Sequence, residues 1–319
     1  MAHVFYYLVL KPFSWLPLWI THRFSSFLAW LFFSVTGYRK KVVLHNLSLA
    51  FPDKTQAERN QIAKEFYRSL TDTLVESFRF FSISKKEALR RCRLTNPEVL
   101  DPYAERGQSV ILVAAHTTNF EIAALTLGSL FNDHRAMGIY SPLSNEKLDD
   151  LIFGNRRRMG TILVSRRKVK EWFDATRDFI SADIFAADQS PSNAEPTKLH
   201  WTTFMSQVTG FVAGPERYAV RYDRPVIYLY LRRVRRGYYE LTLKELFKDA
   251  PATSPGEITE TYVRTLEKEI QERPASWLWT HRRWKRGVPD SVQAQWPPEQ
   301  GYLPPQYERL SPAQAKVEN

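Results

Sequence analysis

A short, continuous apolar run at residues 109–115 (SVILVAA) is the feature that most limits what this chain can fold into. A run of this length is typical of a β-strand that is buried on both faces, as strands of a parallel sheet are. Further short apolar segments follow it, and stretches with helical spacing of apolar residues separate them. This alternation predicts an α/β fold, with a mixed central sheet covered by helices.

The remaining segments can be placed on the same pattern. A long helix is expected to begin at Thr55, because Thr55 and Glu58 form a capping-box pair ahead of an apolar stripe that recurs every four residues. Further helices are predicted over 117–130, 146–159 and 169–180, and a late helix, through Ile258 and Ile270, should be stopped by Pro274. The other predicted strands lie at residues 136–140, 161–164, 183–187, 225–231 and 238–243.

The amino-terminal segment suggests a membrane. Residues 4–35 are rich in Phe, Trp, Leu and Tyr, and 15–35 has the length of a spanning helix, but Arg23 falls near its middle, where a charge costs about 3 kcal/mol. A tilted span, an interfacial helix and a buried helical hairpin all remain open, whereas a cleaved signal peptide does not fit. We therefore divide the chain into a membrane anchor helix or helical hairpin (1–37), a main domain (38–286) and a loosely ordered, Pro-rich tail (287–319). The basic residues 39–41 should keep the domain on the cytoplasmic side.

Composition narrows the function classes. Lys and Arg outnumber Asp and Glu by 45 to 34, giving a net charge of +11, which suits an anionic partner such as nucleic acid, an anionic bilayer, or a phosphorylated or acidic-protein substrate. Cys92 is the single cysteine, so an intramolecular disulfide or a cysteine-rich zinc site is excluded; it is expected to be an ordinary surface or packing residue, although its basic neighbours would favour the thiolate. No metal, nucleotide or flavin motif is present, and no cofactor is expected.

The most informative stretch is AAHTTNFEIA at residues 114–123. His116 follows the buried strand, and ligands of open α/β sheets gather at the carboxyl ends of strands. Glu121 should lie one turn into the next helix, from where its carboxylate could hold the Nδ1 proton of His116 while Nε2 acts as a general base. A structural alternative stays open at this point: Thr118 and Glu121 match a capping box, and a lone histidine is often structural.

The His-x4-Glu pattern, with Asn119 and Phe120 inside it, resembles the signature of the lysophospholipid acyltransferase superfamily, and more specifically that of the late, or secondary, acyltransferases of lipid A biosynthesis. Several other segments resemble that family in the expected order, over roughly residues 5–286: Tyr38 to Lys41 with Asn46, Tyr140 with Pro142, Arg156 with Arg158 and Gly160, Asp188 with Gln189, Gly214 with Pro215, and Pro274 with Trp277, Trp279, His281, Arg283 and Trp284. Ser141, Thr117, Thr118 and Ser206 depart from its usual residues.

The resemblance implies a bacterial inner-membrane enzyme that faces the cytoplasm and moves an acyl chain from acyl carrier protein to a hydroxyl of a lipid A precursor, an anionic glycolipid. It implies His116 and Glu121 as catalytic residues, and Arg156, Arg158, Asp188 and Gln189 as substrate-binding residues, the arginines gripping phosphate. Two alternatives remain: acylation of another membrane lipid (an amino-acid lipid, a lysophospholipid or a mannolipid), or a non-enzymatic basic protein that binds membrane or nucleic acid.

Overall fold

The computed structural model describes residues 6–143, 145–175, 177–191, 195, 198–286 and 288–293. The α-helices within these ranges are α1 (Lys11–Ser14), α2 (Leu18–Trp30), α3 (Lys40–Ala50), α4 (Gln56–Arg79), α5 (Lys85–Arg91), α6 (Asp101–Ala104), α7 (Phe120–Thr126), α8 (Glu146–Arg157), α9 (Val169–Asp174), α10 (Gly214–Arg221), α11 (Glu257–Glu272) and α12 (Asp290–Gln293). The strands are β1 (Cys92–Leu94), β2 (Val110–Ala114), β3 (Arg135–Tyr140), β4 (Ile162–Ser165), β5 (Ser181–Ala186), β6 (Leu199–Phe204), β7 (Gln207–Val212), β8 (Val226–Arg235) and β9 (Tyr238–Phe247).

Seven strands form one mixed sheet in the order β1-β9-β8-β2-β5-β3-β4. The five strands from β8 to β4 are parallel to one another, while β9 pairs antiparallel with β8 and parallel with β1. Strand β2 lies at the centre, as its uninterrupted apolar sequence predicts, and all five of its residues are buried. The predicted α/β class is therefore confirmed, with a mixed sheet between helices.

Two hydrophobic cores lie on the two faces of the sheet. Ile111 and Val113 of β2 belong to a core formed with α3, α4 and α11, whereas Val110 and Leu112 point the other way, toward α7. Cys92 is fully buried in this second core, and burial raises the pKa of its thiol to about 12. Cys92 is thus a packing residue, and the thiolate that its basic neighbours suggested is disfavoured because the side chain is out of water.

The long helix predicted at Thr55 is confirmed, since the Thr55 side chain accepts from the Glu58 N–H and the Glu58 carboxylate accepts from the Thr55 N–H. The structure differs from the prediction at β6 and β7, which form an antiparallel hairpin that periodicity did not predict. Its residues form a separate two-stranded sheet. Within the expected tail, α12 buries Val292 against this hairpin, and residues 294–319 lie outside the described part of the chain.

The amino-terminal helices pack on the main domain. Helix α2 turns Thr21, Ser25 and Ala29 inward, and the Ser25 hydroxyl donates to Asp72 of α4. Among the described residues, no helix combines the length and the apolarity that crossing a bilayer requires. The opposite face of these helices exposes large aromatic side chains: Trp15, Trp19, Phe24, Phe27 and Trp30.

Candidate active site

The register of two parallel strands places His116 beside Asp188. Ala114 at the end of β2 is paired with Ala186 at the end of β5, so the residues two positions beyond each of them leave the sheet at the same height. Both side chains therefore meet at the carboxyl edge of the central strands, where an open α/β sheet presents its ligand site.

Asp188 contacts His116 through both carboxylate oxygens, one at the imidazole and the other at the backbone N–H. His116 Nδ1 lies 2.7 Å from Asp188 Oδ1, and the His116 backbone N–H donates to Oδ2 at 3.1 Å. The Trp277 indole N–H also donates to Oδ2, at 2.9 Å. The Phe120 ring and the imidazole pack edge to face, with 5.0 Å between ring centroids. The ring is thus fixed in the tautomer that carries its proton on Nδ1 and leaves Nε2 to accept one.

Burial and charge oppose each other at this pair. Burial alone would lower the pKa of His116, but the Asp188 carboxylate next to it outweighs burial, and the pKa of His116 is raised. Burial alone would raise the pKa of Asp188, but the contact with His116 and the donated hydrogen bonds outweigh it, and the pKa of Asp188 is lowered. The result is an ionised, buried carboxylate that strengthens the imidazole as a base.

Glu121 does not hold His116. Its carboxylate accepts two hydrogen bonds from Arg156 of α8, at 3.0 Å from Nε and 2.6 Å from Nη2. The expected pairing of Glu121 with Nδ1 is therefore wrong, because the β2–β5 register supplies Asp188 to that atom and the guanidinium offers Glu121 a two-point partner. The pair still lies close to the base, since Glu121 contributes to raising the pKa of His116 and Arg156 to lowering it.

Two further predicted site residues lie in different surroundings. The Arg158 guanidinium donates to the Phe80 backbone carbonyl and to Asn155, contacts that tie the end of α8 to the end of α4. Gln189 is exposed, and its side-chain nitrogen lies 3.5 Å from His116 Nε2. The structure thus brings Gln189 and Arg156 to the histidine and uses Arg158 to join two helices.

The loop between β2 and α7 is fixed from two sides. Thr118 has a positive φ of 44°, and its backbone N–H donates to the Ser276 carbonyl at 2.8 Å while its carbonyl accepts from the Thr73 hydroxyl at 3.1 Å. The helix cap is Asn119, whose side-chain oxygen accepts from the Ile122 N–H at 3.3 Å. The capping box of Thr118 and Glu121, which was the structural alternative for this stretch, is therefore not formed, and the cap lies one residue later.

A second buried carboxyl group lies behind this loop. Glu269 of α11 accepts from the Tyr228 hydroxyl at 2.6 Å and from the Thr117 side chain. Burial, together with the nearby charge of Asp188, raises the pKa of Glu269 to about 7. Sequence reasoning missed Glu269, because only the packing of α11 brings it behind the strand end.

These contacts define the class of site: an imidazole at a sheet edge, backed by a buried carboxylate and flanked by a fixed guanidinium, which is an arrangement chemically able to activate a hydroxyl group for attack on an electrophilic centre. Among the described residues, no group of three or more His, Cys, Asp or Glu side chains is arranged to hold a metal ion.

Comparison with known proteins agrees with this class. The model of the family described as bacterial lipid A biosynthesis acyltransferase matches residues 2–286. The lipid A biosynthesis lauroyltransferase of Escherichia coli is 21% identical over 294 residues, covering 86% of this chain and 89% of that protein. The lipid A biosynthesis palmitoleoyltransferase of the same organism is 22% identical over 270 residues, covering 77% of this chain and 79% of that protein. The chain belongs to the bacterial lipid A biosynthesis acyltransferase family.

Proposed function

We propose that this protein transfers a fatty acyl chain from the thioester of acyl carrier protein to a hydroxyl group of a lipid A precursor, at the cytoplasmic face of the bacterial inner membrane, with His116 as the general base. The observation that carries the proposal is the 2.7 Å contact between His116 Nδ1 and the buried Asp188, in a chain of this family. An aliphatic alcohol is a weak nucleophile at neutral pH, so a base strengthened by a buried carboxylate is the main chemical requirement.

His116 Nε2 takes the proton of the acceptor hydroxyl while that oxygen attacks the thioester carbonyl carbon. The tetrahedral intermediate then collapses with cleavage of the C–S bond, and the departing sulfur takes the proton from the imidazolium. An ester and a free thiol are formed, and the histidine returns neutral, with Asp188 ionised throughout.

The proposed role of Arg156 is to stabilise negative charge on the reacting groups. Its Nε and Nη2 are bound to Glu121, which holds the guanidinium plane close to the imidazole. A guanidinium fixed in advance stabilises an oxyanion as it forms, or a substrate phosphate, without having to reorganise. Glu121 thus acts through Arg156, and Gln189 lies where it can contact the acceptor oxygen.

The aromatic face of the amino-terminal helices (Trp15, Trp19, Phe24, Phe27 and Trp30) supports membrane association. Trp19 and Trp30 of α2 are 63% and 55% exposed, while Thr21 and Ser25 of the same helix are fully buried; Trp15, just before α2, is 63% exposed. A helix that turns tryptophans outward and small residues inward suits the headgroup region of a bilayer, lying in the plane of the membrane. The acceptor lipid would then reach His116 from the surface on which the protein rests.

The direct test is to incubate the purified full-length protein, in mixed micelles, with acylated carrier protein and a purified lipid A precursor. The precursor should gain the mass of one acyl chain by mass spectrometry, and His116→Ala should abolish the gain. A matched His45→Ala variant, altered at an exposed histidine of α3, should react normally. Acylation of lysophospholipid or mannolipid in parallel reactions, with none of the lipid A precursor, would refute the proposed acceptor; activity with acyl coenzyme A alone would refute the proposed donor.

A further inference from the structure

A chain of buried hydrogen bonds links the amino-terminal helix to the loop that carries the base. His22 Nε2 on α2 donates to Glu76 Oε1 on α4 at 2.8 Å. The other oxygen of Glu76 accepts from the Asn119 side-chain amide at 2.8 Å and from the Tyr239 hydroxyl at 2.7 Å. Glu76 is 1% exposed, so its charge depends on these three donors for the solvation that water would otherwise give.

These hydrogen bonds end at the active-site loop. Asn119 is fully buried and uses both ends of its amide: the nitrogen binds Glu76, and the oxygen caps α7 through the Ile122 N–H. It lies three residues after His116 and two before Glu121. The neighbouring Thr118, at a φ of 44°, is in a region that a β-branched residue rarely adopts, so its conformation must be imposed by surrounding contacts.

The near end is held firmly in place. The Arg236 guanidinium, at the tip of the β8–β9 hairpin, donates to the His22 backbone carbonyl at 2.7 Å and to Asp72 at 2.6 Å. Gly237 at the same tip has a φ of 75°, and a Cβ atom there would come within 3.2 Å of the His22 ring. The tip of the hairpin therefore packs closely against His22 and leaves little room for its ring to move away from Glu76.

We infer that His22 is a positioning residue for the transfer reaction: through Glu76 and Asn119 it fixes the loop that sets the geometry of His116, Glu121 and Arg156. The inference rests on the proposed function. It makes α2, the helix with the exposed tryptophans, a working part of the active site as well as a surface element. An error of about 1 Å in the position of a catalytic group is enough to slow a reaction roughly 100-fold, so a loop of this kind needs such support.

The test uses two substitutions in the full-length protein, each of which removes a different hydrogen bond of the series from His22 to Asn119. His22→Ala removes the donor to Glu76, and Asn119→Ser keeps a good helix cap while removing the amide that binds Glu76. Each is expected to lower kcat roughly 10-fold with little change in the KM for either substrate. His22→Gln, whose amide can donate to Glu76, should restore most of the kcat, and His45→Ala serves as the matched surface control.

The double variant gives the decisive comparison. If both substitutions act through Glu76, the kcat of the double variant should be no lower than that of the less active single variant. Independent effects would multiply, and that result would overturn the inference. Failure of His22→Gln to restore kcat above the level of His22→Ala would also overturn it.

A second measurement does not depend on activity. Amide hydrogen exchange of residues 117–122 should quicken in both single variants, while exchange in β2 and β5 stays as in the wild type. Unchanged exchange in residues 117–122 overturns the inference. A wild-type protein that fails to acylate the lipid A precursor refutes the proposed function instead, and the exchange experiment still decides whether His22 fixes the loop.

Discussion

His116 and Asp188 lie 72 positions apart in the chain, yet each stands two residues beyond a strand end, and a 2.7 Å contact joins Nδ1 to Oδ1. Because Asp188 also accepts from the His116 backbone N–H and from Trp277, the carboxylate has one orientation. The imidazole therefore presents Nε2 outward, toward Gln189, before substrate arrives.

Asp188→Asn should be the most damaging conservative change at this site. The amide keeps the shape but cannot stabilise the imidazolium, and it favours the wrong tautomer, so kcat should fall roughly 10³-fold or more. Steady-state kinetics on the two purified proteins measures this, with thermal unfolding to establish that both are folded. A variant with more than a tenth of the wild-type kcat would remove Asp188 from the mechanism.

The pH dependence of kcat/KM should show an acid limb above the ordinary histidine range. The base must be neutral to act, and the pKa of His116 is raised because the charge of Asp188 outweighs burial, so activity is lost as pH falls through that raised value. In Asp188→Asn the residual activity should keep its acid limb at lower pH, since the carboxylate no longer favours the protonated imidazole. An acid limb at the same pH in both proteins would contradict this assignment.

Glu121→Gln and Arg156→Lys should each lower kcat by roughly 10- to 100-fold, because each removes the two-point pair that fixes the guanidinium. The double variant should be little worse than either single variant, as expected of two residues acting as a unit. Since Glu121 contributes less than Asp188 to the raised pKa of His116, Glu121→Gln should move the acid limb less than Asp188→Asn does. An equally large shift in both variants would mean that Glu121 holds the imidazole. Comparison of the two pH profiles separates these roles.

Ionisation of Glu269 should lower the free energy of unfolding as pH rises. Burial raises its pKa from 4.5 to about 7, so between these values the folded protein binds a proton that the unfolded chain has released. The contribution is fully present below pH 4.5 and is lost as pH rises through 7, at an order of about 3 kcal/mol. Glu269→Gln should therefore gain stability relative to the wild type between pH 5 and 8, measured by denaturant unfolding. A constant difference across this range would rule out the proposed ionisation.

Trp19→Ser combined with Trp30→Ser should weaken binding to anionic vesicles without unfolding the protein, because both side chains are more than half exposed. Vesicle flotation measures the bound fraction, and thermal unfolding provides the check on folding. The matched control is Val234→Ser, a 56% exposed apolar residue on the β8–β9 hairpin. Equal vesicle binding by the tryptophan variant and the wild type would refute the membrane role of this face.

Local pattern alone was enough for most of the scaffold. The apolar run ahead of His116 is β2, and the capping pair at Thr55 begins a helix of 24 residues. Both can be predicted from short-range interactions, since periodicity and capping depend on residues within one or two turns of each other. The hairpin of β6 and β7 was not predicted because its strands, LHWTTF and QVTGFV, lack a clear alternation of apolar and polar residues.

The sequence by itself determined that a histidine follows a buried strand, with a glutamate five residues later, in a chain with an aromatic amino terminus and a net charge of +11. Only the tertiary structure decided which carboxylate serves the histidine. Asp188 is brought to His116 by the pairing of β2 with β5, and Glu121 is turned to Arg156 by the packing of α7 on α8. Such choices depend on strand order and helix docking between distant segments, and neither the spacing of residues nor their local periodicity encodes them.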